Sequence, residues 1–297
     1  MPTQTEQDLH TAEHERRLEL PDGRVLSYAT YGDLADPLVV VLDGPASRGL
    51  ARAAAPIAAS LGLRLVAPDR PGFGDSTAAL QRGIADWPSD HAALLDALGA
   101  EQAGIVAQSG GTPYALAAAA ALPQRVSAIG LLGALAPLDD PATLAESGGE
   151  LRAGARLARR APWLLRLVLR GAARSARKNP QKLARKVAKD AAPADVEQLR
   201  DPALWAIHER ATAEILGQPL PLAREIGVLS APWGIDPADV SVPVAFWSGE
   251  CDVRHPTSHS RRLAAMLGGA PVEVVPGAAT FGLLPVYGDA LRFAAGR

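Results

Sequence analysis

Residues 104–126 read GIVAQSGGTPYALAAAAALPQRV. An apolar run meets Gln108-Ser109, then two glycines, then Thr112-Pro113 and an alanine-rich stretch. The run fits a buried strand, Pro113 fits the first turn of a helix, and Gly110-Gly111 permits a tight reversal between them. Ser109 then sits at the apex, at the positive end of a helix and beyond the carboxyl end of a strand, where open α/β sheets hold their ligands. The plainer reading makes Ser109 an N-cap of the following helix.

The same alternation extends both ways along the chain. Apolar runs PLVVVLDG (37–44), LRLVAPDR (63–70), RVSAIGLLGAL (125–135), VPVAFWSGECD (242–252) and PVEVVPG (271–277) are separated by helical stretches near 47–61, 83–98, 113–122 and 258–266, and a last helix closes the chain. Strands apolar throughout and separated by helices predict an α/β fold with a mostly parallel sheet covered on both faces. RRLELPDGRVLSYATYG (16–32) places Asp22-Gly23 between two alternating runs, the signal of a β-hairpin. The alternation lapses over 137–240, a helical region bounded by Pro-, Asp- and Gly-rich linkers. The expected division is a flexible tail at 1–16, a core at 17–136 and 241–297, and an inserted helical cap at 137–240.

Composition narrows the function. With 297 residues, 48% of them hydrophobic, and a net charge of -2, the chain can bury a large core and lacks the charge balance of a nucleic-acid binder. The single cysteine, Cys251, cannot form an internal disulfide, and no set of metal ligands stands out, so no cofactor is expected. A polar start and the absence of a long apolar run give the expectation of a cytoplasmic protein without a membrane span. Local charge is more telling: ELRAGARLARRAPWLLRLVLRGAARSARKNPQKLARKVAKD (150–190) has no acid between Glu150 and Asp190. An amphipathic reading turns Trp163, Leu164, Leu167 and Val168 inward and the cations to water. The alternative is an acidic partner, such as an acyl carrier protein or a phosphorylated cofactor arm.

Taken in order, LPDGRVLSYATYGD, LDGPASR, VAPDRPGFGDS, VAQSGGTPYALAAAAALPQRV and VPVAFWSGECD resemble the motifs of α/β-hydrolase-fold proteins, particularly bacterial members with a helical cap. The resemblance implies that Ala107-Gln108-Ser109-Gly110-Gly111 is a nucleophile elbow, with Gly110 donating its N–H to an oxyanion and Gln108 beside the substrate. It implies that Asp252 is the acid of a triad. DRPGFGDS (69–76) lacks the context of a dinucleotide site.

Three positions depart from that pattern. Thr280, in VVPGAATFGLL (274–284), stands where the family has its catalytic histidine, and a threonine hydroxyl is no base near neutral pH. Asp43 stands where the family has the histidine of His-Gly-x, and Pro45, after Gly44, has no N–H for an oxyanion. Asp43 reads either as a turn residue bonded to nearby N–H groups or as a protonated acid in an apolar pocket. His255, three residues after Asp252, is the best substitute base. His259 is expected to face outward, His91 and His208 lie on helical stretches, and His10 and His14 fall in the tail.

Three functions follow from these departures. The first is non-hydrolytic acid/base chemistry on a small hydrophobic metabolite, a cyclisation, dehydration or rearrangement, with Asp43 and Asp252 handling protons while Ser109 and Thr280 bind. The second is a serine esterase, lactonase or amidase with His255 as a relocated base. The third is a binding protein without catalysis.

Overall fold

The computed structural model describes residues 12–44, 48–189 and 191–297. An eight-stranded sheet runs in the order β1-β2-β4-β3-β5-β6-β7-β8. Its strands are β1 (His14–Glu19), β2 (Val25–Tyr31), β3 (Leu38–Leu42), β4 (Arg64–Pro68), β5 (Ala103–Ser109), β6 (Val126–Ala134), β7 (Val244–Gly249) and β8 (Val272–Val275). β1–β2 and β2–β4 are antiparallel, and every other neighbouring pair is parallel. Helices of the α/β core are α1 (Gly49–Ser60), α2 (Trp87–Ala97) and α3 (Thr112–Ala121). Between β6 and β7 come α4 (Pro141–Glu146), α5 (Gly149–Arg160), α6 (Pro162–Lys178), α7 (Pro180–Lys189), α8 (Pro193–Gln198), α9 (Pro202–Gly217) and α10 (Pro219–Leu229), and the chain ends with α11 (Thr257–Met266) and α12 (Tyr287–Ala294).

Strands β3–β7 are buried on both faces, as their apolar runs require, whereas β1 is largely exposed and β8 partly so. Val39, Val41, Leu65 and Val106 pack against α1 and α12, while Val40, Val66, Ile105 and Ala107 face α2, α3 and α11. Gly104 lets α12 approach β5, because a Cβ there would run into the Ala294 carbonyl. In the inserted region every helix except α5 opens on proline, whose missing N–H costs nothing in a first turn and whose ring prevents the preceding helix from continuing. The Asp140 and Asp201 carboxylates complete the starts of α4 and α9 by accepting N–H bonds. Among the described residues no helix is long and apolar enough to cross a membrane.

Two expectations need correction. The tail does not extend to residue 16, because His14, Glu15 and Arg16 pair with Thr30, Ala29 and Tyr28 across the Asp22-Gly23 turn. Arg48 reinforces that edge, lying 3.1 Å from Glu13 and 2.8 Å from Glu15. The rest of the expected tail, residues 1–11 with His10, lies outside the described residues. The second correction concerns α6. Its buried stripe is Leu165, Leu169, Ala173 and Ala176, and Leu165 and Leu169 cluster with Phe73, Leu222 and Ala223. Trp163, Leu167 and Val168 are 67%, 55% and 53% exposed, while Leu164 is only partly covered. The buried stripe keeps a spacing of four, four and three residues, one straight face of a helix, so the other apolar side chains are left to solvent.

One buried ion pair joins the inserted helices to the core. Arg70, on the loop after β4, donates from Nε to Glu225 Oε1 of α10 at 3.0 Å, and Tyr114 of α3 donates its hydroxyl to Glu225 Oε2 at 2.9 Å. The guanidinium lies 4.5 Å from the Tyr114 ring centroid. Removing one partner of such a pair strands a charge away from water. Glu225→Ala should therefore lower the unfolding free energy by about 3 to 5 kcal/mol in urea titrations; a loss below about 1 kcal/mol would show that the freed guanidinium finds solvent.

Candidate active site

Ser109 ends β5 with φ 51°, the one positive φ at a non-glycine residue among the described residues. A left-handed residue with a side chain costs about 1 to 2 kcal/mol, and such strain persists where the surroundings enforce it. Gly111 permits the tight turn beside it: the chain approaches β3 so closely there that a Cβ on Gly111 would meet the Leu42 carbonyl. The turn therefore lifts the serine hydroxyl clear of the sheet, as a nucleophile elbow requires.

His255 meets that hydroxyl. Its Nε2 lies 2.9 Å from Ser109 Oγ, and the residue is 3% exposed. Asp252 builds the loop that carries it, its Oδ1 accepting the backbone N–H groups of Arg254 at 2.8 Å and His255 at 2.9 Å. This carboxylate-anchored turn folds residues 252–255 back so that a histidine only three positions later returns to the serine. Nδ1 of the ring faces Asp252 Oδ2 at 3.9 Å, beyond hydrogen-bond length but close enough for charge to favour the tautomer with its proton on Nδ1. Nε2 is then the acceptor for the Ser109 hydroxyl. Thr280 donates its hydroxyl to Asp252 Oδ2 at 3.2 Å. Burial pushes the His255 pKa down to about 4, with the Asp252 charge opposing the shift.

Asp43 accepts the Gly44 N–H at 2.6 Å through Oδ1 and the Leu50 N–H at 2.9 Å through Oδ2. Its carboxylate thus ties the end of β3 to the start of α1, the turn-residue arrangement of the two weighed for it. One consequence follows for an oxyanion: the Gly44 N–H is already engaged within the turn. Pro45 lies in 45–47, outside the described residues. Arg70 holds the same loop from behind, donating to the carbonyls of Asp43 and Gly44. Gln108 is engaged as well, accepting the Tyr287 hydroxyl at 3.3 Å and reaching the Thr280 carbonyl at 3.5 Å.

Among the described residues, no other histidine is hydrogen-bonded to Ser109. His259 is buried rather than outward, accepting the Ala136 N–H at 3.4 Å and lying 3.3 Å from Ser147 Oγ, because its face of α11 packs on β6 and the segment after it. His91 is buried in α2, and His14 lies on β1. His208, on α9, reaches the Ala184 carbonyl at 3.2 Å. Among the described residues no group of His, Cys, Asp and Glu side chains could hold a metal ion.

A cavity of ≈ 190 Å³ opens above Ser109, walled by Leu50, Leu204, Ile207, Ala211, Ile215 and Phe281. Most of this wall is apolar, and much of it comes from α9. Asp195 of α8 also reaches the cavity; its Oδ1 accepts the Phe281 N–H at 2.7 Å. Burial, aided by the Asp252 charge, raises its pKa. Sequence reasoning missed Asp195, His208 and Thr212 in this wall. PADVEQ carries only the signal of a helix start, and nothing local tells which turn of a later helix faces the serine.

The sequence profile of the alpha/beta hydrolase fold matches residues 37–201, more than half of the chain, and the chain belongs to that family. Among solved structures it is similar to a hydrolase from Pseudomonas aeruginosa PA01, with TM-score 0.70 and 20% identity over 96% of this chain and 99% of that one. It is also similar to the enol-lactonase from Burkholderia xenovorans LB400, with TM-score 0.69 and 18% identity over 95% and 100% of the two chains. A third similar structure is the 2-hydroxy-6-oxo-6-phenylhexa-2,4-dienoate hydrolase from Rhodococcus sp. strain RHA1, with TM-score 0.68 and 22% identity over 96% and 100%. Among curated proteins no relative matches the sequence.

The low His255 pKa sets a pH expectation for any reaction that needs its neutral ring. Protonation disables the acceptor, so kcat/KM on a neutral ester should stay level from neutral pH into the acid range and fall as pH drops through about 4. A profile falling already near 6.5, the ordinary histidine value, would show that the ring is solvated in the working enzyme.

Proposed function

We propose that the chain is a serine hydrolase of apolar esters or lactones, with Ser109 as nucleophile, His255 as base and Asp252 as the acid that positions it. The observation that carries this reading is the 2.9 Å contact between Ser109 Oγ and His255 Nε2. The structural neighbours named above, two hydrolases and an enol-lactonase, agree with it at the level of fold.

In this mechanism Ser109 Oγ attacks the acyl carbon while its proton passes to His255 Nε2. The carbonyl oxygen becomes an oxyanion facing the Gly110 N–H at the start of α3, where the helix end favours negative charge. His255 then gives its proton to the leaving oxygen, and the acyl group stays on Ser109. Water attacks the acyl-enzyme, again losing its proton to His255, and the collapse returns that proton to Ser109 as the acid departs. Asp252 holds the loop and favours the imidazolium that forms in each half. Thr280, in the position of the usual histidine, donates to Asp252 instead. The helices inserted at 137–240 act as a cap that supplies the apolar wall against which the acyl group rests. A cytoplasmic setting fits the single thiol of Cys251.

Non-hydrolytic acid/base chemistry by Asp43 and Asp252 is the rival reading. Its motive was the combination of Asp43, Pro45 and Thr280; against it stands His255 Nε2, 2.9 Å from Ser109 Oγ and able to take the part of the base that Thr280 cannot. Asp43, holding two N–H groups, is best suited as an ionised acceptor that shapes the turn.

The two readings part in a mutant series on an aryl butyrate ester. Ser109→Ala and His255→Ala should each lower kcat by about 10⁴-fold or more, with the double variant no worse than either, since the pair acts as a unit. Asp43→Asn should keep most of the activity. Retained turnover in Ser109→Ala, with loss in Asp43→Asn, would overturn the serine mechanism in favour of the rival.

A further inference from the structure

The outer face of α6 and α7 has no partner in the fold. Trp163, Leu167, Arg170, Arg174 and Lys178 recur at helical spacing on the side of α6 opposite its buried stripe, and all are exposed. Arg185, Lys186 and Lys189 are exposed on α7, while Val187 of the same helix lines the cavity above Ser109. No acid occurs between Glu150 and Asp190, and among the described residues none of these eight exposed side chains is ion-paired. The face therefore combines a broad positive field with an indole and a leucine in water.

We propose that this face docks on the surface of an anionic lipid bilayer. Cations alone would suit any acidic partner. The apolar pair decides between them: an amphipathic surface with Trp and Leu set among Arg and Lys is the composition of segments that lie in the plane of a membrane interface, where the rings enter the headgroup layer and the cations meet lipid phosphates. The 17 residues of α6 make a rod of about 25 Å that can lie flat on such a surface. Docking this way brings the bilayer to the outside of α7, whose Val187 lines the apolar cavity. The inference does not rest on the hydrolase reading, because vesicle binding and ester turnover are separate measurements.

The test is co-sedimentation of the full chain with vesicles of phosphatidylcholine alone and of phosphatidylcholine mixed with phosphatidylserine. The expected result is binding to the anionic vesicles only, reversed by high salt, with a blue shift of tryptophan emission that Trp163→Phe abolishes. Arg170→Glu, Arg174→Glu and Lys178→Glu together should lower partition by at least about 30-fold, with turnover of a water-soluble ester unchanged. Trp163→Ala with Leu167→Ala should weaken binding while leaving its salt dependence, and this pair decides the matter if the charge-reversed variant does not fold. Equal partition into both kinds of vesicle, unaltered binding by the variants, or capture of an acidic acyl carrier protein by a chain that ignores vesicles would each overturn the proposal.

Discussion

The Arg70 guanidinium holds three pieces of the molecule in one place. It grips the carbonyls of Asp43 and Gly44 after β3, pairs with Glu225 on α10, and lies over Tyr114 on the helix that starts at the elbow. Burial works against the charge, but Glu225, Tyr114 and Asp43 together outweigh it and raise the Arg70 pKa. A buried pair of this kind adds little net stability, since desolvation offsets the attraction. What it adds is geometry: planar donors fix the loop next to Ser109 and the inserted helices above it relative to one another.

From that constraint the site follows. With the β3 loop pinned, the Asp43 carboxylate caps the start of α1 and the Gly44 N–H is used within the turn. The strained elbow presents Ser109 beside that loop, where a Cβ on Gly44 would lie 3.9 Å from Ser109 Oγ. His255 arrives from the loop after β7 instead of the loop after β8, because the Asp252 side chain bonds two N–H groups of its own turn and bends that loop back. The hydroxyl of Thr280 occupies the freed side of Asp252. A base can move between loops in this way because the chemistry requires a nitrogen at hydrogen-bond distance from the serine, and not a particular place in the chain.

Much of this was legible in the sequence where local chemistry dictates the outcome. The strand-turn-helix around Ser109, the hairpin at Asp22-Gly23 and the parallel sheet follow from glycine, proline and apolar periodicity. His255 was a candidate because its loop, three residues after Asp252, falls at the carboxyl edge of the sheet, where α/β sites form. Features that depend on packing between distant elements were not legible. The first half of α6 carries apolar residues on both sides, and only contact with Phe73 and Leu222 decides that Leu165 and Leu169 go inside while Trp163 and Leu167 do not. His259 looked like a surface residue of α11 until β6 and its extension covered it. Asp195 reaches the cavity from a helix whose sequence marks only its own start. The tail failed for a related reason: the polar residues of β1 become a strand by pairing with β2 and by the grip of Arg48 on Glu13 and Glu15.

The central claim is that His255 activates Ser109. Its most direct test is covalent labelling with a fluorophosphonate, followed by peptide mass spectrometry of the intact enzyme and of His255→Ala. The account predicts that Ser109 carries the phosphonyl group in the intact enzyme, and that labelling disappears in the variant while its melting temperature is kept. Equal labelling of Ser109 in both proteins, or an unlabelled Ser109 in an enzyme that still turns over its substrate, would contradict it.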